Sequence, residues 1–268
     1  MRDGKKAASI IFAAGRGSRM KGYEGNKTLL PLVPGESSYE GKCPILLHII
    51  DNLPSGPKAV VINHRKGDIT RLTGHLGISY CEQPELNGTG GALIAASKFI
   101  KSVDIDRFII TMGDIPLVKS TTYHRLLDTL DRFSMSVLGF HPEDRKQYGM
   151  LEIDGEKVNR IIEWKYWKDY PEEPFKNLEI CNSGIYAVKR DCLLKYLDIL
   201  ENRPHLVTKE INNAFVTVPE YFITDLVELM RENGHSTGYI IAENEHEVMG
   251  IDDLAALKKA QNIYKMGV

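Results

Sequence analysis

At 268 residues the chain is long enough to bury one large core, and its net charge of −2 argues against a nucleic-acid or anionic-membrane partner, since such surfaces are met with a clear basic excess. The four cysteines form no Cys-x-x-Cys pair and sit inside apolar segments, which disfavours a disulfide or zinc framework and suits reduced thiols in a cytoplasm. The charged N-terminus leads into only about eight apolar residues, too few for a membrane span and without a secretory layout.

The first predicted element is a strand over 10–12 that breaks into Ala13-Ala14-Gly15-Arg16-Gly17-Ser18-Arg19-Met20. A buried strand that ends on glycines turns tightly, and the glycines let peptide N–H groups approach an anion. Arg16, Arg19, Lys21 and Lys27 add positive charge nearby, so the expected guest is a polyphosphate. Two familiar phosphate loops fail here. The dinucleotide fingerprint needs a third Gly or Ala where Met20 stands, and the Walker pattern needs Gly where Asn26 precedes Lys27 and where Lys21 occupies the first position. Asn26-Lys27-Thr28 and Asn87-Gly88-Thr89 match the glycosylation acceptor pattern, a coincidence in a cytoplasmic protein.

Strands and helices then alternate. Helical spacing covers 44–53, a short apolar strand 59–62, a brief helix 67–74, a strand 78–81 and an alanine-rich helix 90–100. A strongly apolar strand over 107–112 ends at Gly113-Asp114, and a helix follows over 121–130. This order predicts a three-layer α/β fold around a mostly parallel, Rossmann-like sheet, with ligand chemistry beyond the strand C-terminal ends. From about 140 the pattern changes: 149–158 reads as a hairpin around Asp154-Gly155, the start of a small antiparallel annex. A strand over 180–188, helices over 191–200 and 221–233, a strand over 239–242 and a helix over 252–264 complete the chain. We expect one domain over 1–268, with a nucleotide-binding half at about 7–140, a sugar-binding half at about 141–250 and a closing helix at 251–268.

The run Ala-Ala-Gly-x-Gly-Ser-Arg-Met with a downstream Lys resembles the sugar-1-phosphate nucleotidyltransferases, in particular the pyrophosphorylase domains that act on N-acetylglucosamine 1-phosphate. Further motifs follow in that family's order over almost the whole chain. The resemblance implies a GT-A-like domain that combines a nucleoside triphosphate, first of all UTP, with a sugar 1-phosphate to give an NDP-sugar and pyrophosphate, with Mg2+. The chemistry needs cations more than a base, because the attacking phosphate oxygen is already ionised. Arg19 is expected on the triphosphate and the leaving pyrophosphate, and Lys27 between the α-phosphate and the sugar phosphate. Ala13, Ala14, Gly15 and Gly17 are expected around the nucleotide. Gln83, Gly88 and Thr89 are expected at its base, where Gln83 can both donate and accept.

Asp114, in Gly113-Asp114-Ile115-Pro116, matches the family's first metal ligand; read locally, it is a turn-forming residue. Asp252 aligns with the second metal ligand, where the uridyltransferases usually carry Asn, and it could also cap the last helix. Tyr148, Gly149, Glu163, Asn182 and Thr224 correspond to residues that touch the sugar or its phosphate. The segment 34–42 is longer than in the relatives and reads either as a lid or as a plain surface loop. No hexapeptide period is present, so the acetyl-transfer activity of bifunctional relatives is not expected. Rival readings are the same chemistry with glucose 1-phosphate and UTP or dTTP, cytidylyl or guanylyl transfer, and a non-catalytic nucleotide-sugar sensor.

Overall fold

Successive side chains of β1 (Ala8–Phe12) enter opposite cores, with Ala8 and Ile10 in one and Ile11 in the other. A strand buried on both faces has to lie in the interior of a covered sheet. The computed structural model describes residues 5–267 except 18, 21, 146, 168–177 and 212–213. Ser18 and Lys21, named above in the cationic turn, therefore lie outside the described residues.

After β1 come β2 (Pro31–Pro34), β3 (Gly41–Pro44), α1 (Ile45–Asn52), β4 (Lys58–Ile62), α2 (Lys66–Thr73), β5 (Ser79–Glu82), α3 (Thr89–Ala95), α4 (Ser97–Ser102), β6 (Arg107–Met112) and α5 (Ser120–Asp128). The later part holds β7 (Met135–Phe140), β8 (Met150–Asp154), β9 (Lys157–Ile162), α6 (Trp164–Trp167), β10 (Cys181–Lys189), α7 (Arg190–Glu201), β11 (His205–Ile211), β12 (Ala214–Glu220), α8 (Asp225–Glu232), β13 (Thr237–Ile241) and α9 (Leu254–Lys265). The main sheet runs β13-β7-β10-β6-β1-β4-β5, with the β8–β9 hairpin attached to β10. β10 pairs antiparallel with both β6 and β7, while the other pairs along this path are parallel. Helices cover both faces. One layer packs α1, α5 and α9 through Leu46, Leu127 and Leu257, and the other packs α3, α7 and α8 through Leu93, Leu197 and Val227. The expected three-layer α/β architecture is present, with a small antiparallel annex.

The antiparallel sense of β10 matters to the site. The parallel strands end on one edge of the sheet, and β10 begins on that same edge, so Asn182 arrives beside the loops that follow β6 and β7.

Three local expectations need correction. The 34–42 segment is no lid: it is the turn of the β2–β3 hairpin, and Gln261 of α9 donates to the carbonyls of Pro31 at 2.9 Å and Ser38 at 2.8 Å. The helix expected from 221 begins at Asp225, because Tyr221 is extended, donating to the Asn87 carbonyl at 2.8 Å and accepting from Gly90 N–H at 2.9 Å. The β7 strand and the β11–β12 hairpin were not anticipated. Among the described residues, no helix is long and apolar enough to cross a membrane.

Candidate active site

The turn after β1 is shaped around Lys27. Gly17 has φ +63°, and a Cβ there would lie 3.3 Å from the Lys27 stem, so a side chain would be both strained and crowded. Beyond that stem the ammonium enters a cluster of charge. Lys27 Nζ pairs with Asp114 and lies 3.1 Å from Asp252 Oδ1, while Arg19 Nη1 lies 3.1 Å from Asp252 Oδ2. Burial alone would lower the Lys27 pKa, but Asp114 and then Asp252 outweigh it and hold the pKa above the ordinary value. The lysine therefore stays charged through the neutral range.

Residues far apart in sequence meet here for identifiable reasons. Asp114 follows β6, and Gly113 N–H donates to the Phe12 carbonyl at 2.9 Å, drawing the end of β6 against the end of β1. The Asp114 carbonyl accepts from Ile251 N–H at 2.9 Å, which brings the neighbouring Asp252 to the same place. Capping of α9 falls to Asp253, whose Oδ1 accepts from Ala256 N–H at 2.8 Å. That leaves the Asp252 carboxylate to face Lys27 and Arg19.

A cleft of about 550 Å³ opens beside this cluster, lined by Ala13, Ala14, Gly15, Arg19, Lys27, Gln83, Gly88, Thr89 and Asp114 among others. None of residues 34–43 lines it. Gly88 has φ +95°, and a Cβ there would overlap the Tyr221 carbonyl, so this glycine is needed for close backbone approach as well as for space. Gln83 Nε2 donates to Asn87 Oδ1 at 3.0 Å and to the Gly88 carbonyl at 3.1 Å. With both N–H groups engaged, Gln83 has only its oxygen to offer a guest, narrower than the donor-and-acceptor role expected. The Thr89 hydroxyl accepts from Ile223 N–H at 3.2 Å.

The residues expected on the sugar side also come together. Gly149 C=O accepts from Asn182 N–H at 2.8 Å, and Thr224 Oγ1 donates to Glu163 Oε1 at 2.7 Å. A Cβ on Gly149 would lie 3.6 Å from Glu163 Oε2. The Asn182 amide is used internally, accepting from Gly184 N–H at 3.0 Å and donating to Tyr186 at 2.8 Å. Tyr148 packs edge-on against Phe140 at 4.9 Å, and burial first, then nearby acidic groups that include Asp252 and Asp114, raises its phenol pKa.

Two residues escaped the sequence reading. Glu247 is 3 % exposed, and its carboxylate accepts from Thr122 Oγ1, Lys119 N–H at 3.3 Å and Glu243 N–H at 3.1 Å, pinning the loop that delivers Asp252. Nothing in its local pattern signals burial. Glu247→Ala should lower unfolding free energy by about 2–4 kcal/mol, because buried donors lose their acceptor. Urea unfolding measures it, and a change within error would remove this anchor. Glu220 lines the cleft and is held by Lys209 at 3.2 Å; it ends β12, one of the strands that were not anticipated.

Among the described residues no three His, Cys, Asp or Glu side chains converge as a metal cage. Two carboxylates within reach of one cationic centre nevertheless suit an ion that takes the rest of its oxygens from substrate phosphates and water.

Fold and cleft together define a protein of the nucleotidyltransferase type. A family model, the MobA-like NTP transferase domain, matches residues 9–163. The chain belongs to this family. It is 30% identical over 257 residues to the bifunctional protein GlmU of Cereibacter sphaeroides, an alignment covering 94% of this chain and 51% of that protein. The chain thus spans about half the length of the curated relatives it matches. Among solved structures, a putative glucose-1-phosphate thymidylyltransferase from Bacillus anthracis superimposes with a TM-score of 0.66 at 20% identity, covering 96% of this chain and 95% of the other. The uridine diphosphate N-acetylglucosamine pyrophosphorylase of Trypanosoma brucei gives 0.73 at 11% identity, covering 95% and 64%.

Proposed function

We propose that the protein transfers a nucleotidyl group from UTP to N-acetylglucosamine 1-phosphate, releasing pyrophosphate and using Mg2+. The observation that carries this reading is the Lys27 ammonium held between Asp114 and Asp252 at the mouth of a glycine-turn cleft. Asp114 and Asp252 would hold the Mg2+, which supplies charge neutralisation for the triphosphate when bound. The rest falls to the chain's own groups. Backbone N–H groups of the Gly15 turn cradle phosphate, and Arg19, whose side chain is 68% exposed, reaches the leaving pyrophosphate. Lys27 steadies charge on the phosphoryl group under attack. The ionised acceptor phosphate needs no base.

On the base side Gln83 offers an acceptor, which fits the N3–H of uracil. On the sugar side Gly149 leaves room for an N-acetyl group beside Glu163, Asn182 and Thr224. The uridine diphosphate N-acetylglucosamine pyrophosphorylase neighbour favours this pair of substrates. The thymidylyltransferase neighbour favours the second reading, the same transfer with dTTP and glucose 1-phosphate. A panel of nucleoside triphosphates against sugar 1-phosphates, scored by pyrophosphate release, tests both. The highest kcat/KM should fall on UTP with N-acetylglucosamine 1-phosphate. Preference for another pair overturns the substrate assignment, and binding without pyrophosphate release from any pair overturns the transferase reading.

A further inference from the structure

We propose that Asn26 is the positioning residue for Lys27: its side-chain amide clamps the turn that carries the lysine onto the ends of two neighbouring parallel strands. This rests on the role proposed above for Lys27. Asn26 is 0% exposed, and a carboxamide has two N–H donors and an oxygen able to accept twice. All four capacities are used. Nδ2 donates to the Ala13 carbonyl at 3.3 Å and to the His64 carbonyl at 2.9 Å. Oδ1 accepts from Thr28 N–H at 3.0 Å and from Thr28 Oγ1 at 2.8 Å.

The carbonyls it binds lie just past β1 and β4, which pair in parallel. One amide therefore registers the backbone of Lys27 against the phosphate-side turn and against the neighbouring strand. The lysine stem is then guided past Gly17 and its ammonium ends between Asp114 and Asp252. Capping of the short Lys27–Leu29 turn accounts for the two bonds into Oδ1. It does not account for the two bonds out of Nδ2, and those reach the strand ends.

No other side chain of this size does both jobs. Aspartate keeps the acceptors but turns a lone pair toward two carbonyl oxygens, and serine keeps one acceptor and cannot span the gap. A displaced reacting group can cost on the order of a hundredfold in rate when its geometry is lost by about 1 Å.

The test is a double-mutant cycle built on Asn26→Asp and Lys27→Met, with steady-state kinetics on the preferred substrate pair and thermal unfolding in parallel. Asn26→Asp should lower kcat by at least about tenfold with a much smaller change in KM for the nucleotide. In the Lys27→Met background the same substitution should change kcat by less than about twofold, because the group it positions is gone. A loss of equal size in both backgrounds, or wild-type kcat in Asn26→Asp, overturns the positioning role and leaves Lys27 untouched. Normal turnover in Lys27→Met itself overturns the role of Lys27. Should Asn26→Asp fail to fold, Thr28→Val removes one bond into Oδ1 without loss of volume. Its expected kcat loss is about threefold, again confined to the wild-type background, and a loss that persists beside Lys27→Met overturns the proposal.

Discussion

Asp114→Ala should abolish pyrophosphate release, with kcat/KM falling at least about a thousandfold, because on the proposed reading it removes one of the two carboxylates that would hold the Mg2+ against the phosphates. The fold should survive. Lys27 keeps Asp252 as partner, at 3.1 Å, and the backbone bonds from Gly113 N–H to Phe12 and from Ile251 N–H to Asp114 do not involve the lost carboxylate. A continuous pyrophosphate assay checks the rate and circular dichroism the fold. Near-normal turnover in a folded variant would remove Asp114 from the metal site.

The second large effect is expected at Lys27, where substitution should act in opposite directions on two observables. Lys27→Met should lower kcat by about a hundredfold or more, as loss of one preorganised electrostatic contact does. It also leaves Asp114 and Asp252 facing each other without their shared ammonium. Mn2+ added without nucleotide should then bind at least about tenfold more tightly than to the unmodified protein, since removing a cation a few ångströms away relieves repulsion of that order. Titration followed by the paramagnetic signal of free Mn2+ reads this directly. Equal affinities would show that the two carboxylates do not form the ion's site.

Both predictions concern side chains that the amino-acid pattern already singled out, and the reason lies in what surrounds them. Asp114 ends the apolar run Arg107–Met112, and Lys27 follows a strand that breaks into glycines. Such abrupt changes from apolar to polar are local signals. Asn26 and Glu247 carry no such signal, because their importance comes from carbonyls and an amide at Ala13, His64 and Lys119, supplied by other parts of the chain. The β7 strand was missed for a different reason: Ser136 and Gly139 break its apolar run, although all six of its residues are buried. The direction of β10 was equally hidden, since a two-residue period is the same whichever way a strand runs. The start of α8 was misjudged because Tyr221 spends its backbone N–H and C=O on the loop at 87–90 rather than on a first helical turn.

The span of the charge cluster has one more consequence. Lys27 and Asp252 are separated by 225 positions, yet a guest that engages both must find them a few ångströms apart. Occupancy of the cleft is therefore thermodynamically tied to the whole sheet, and saturating nucleotide should raise the melting temperature of the entire protein rather than quieten a single loop.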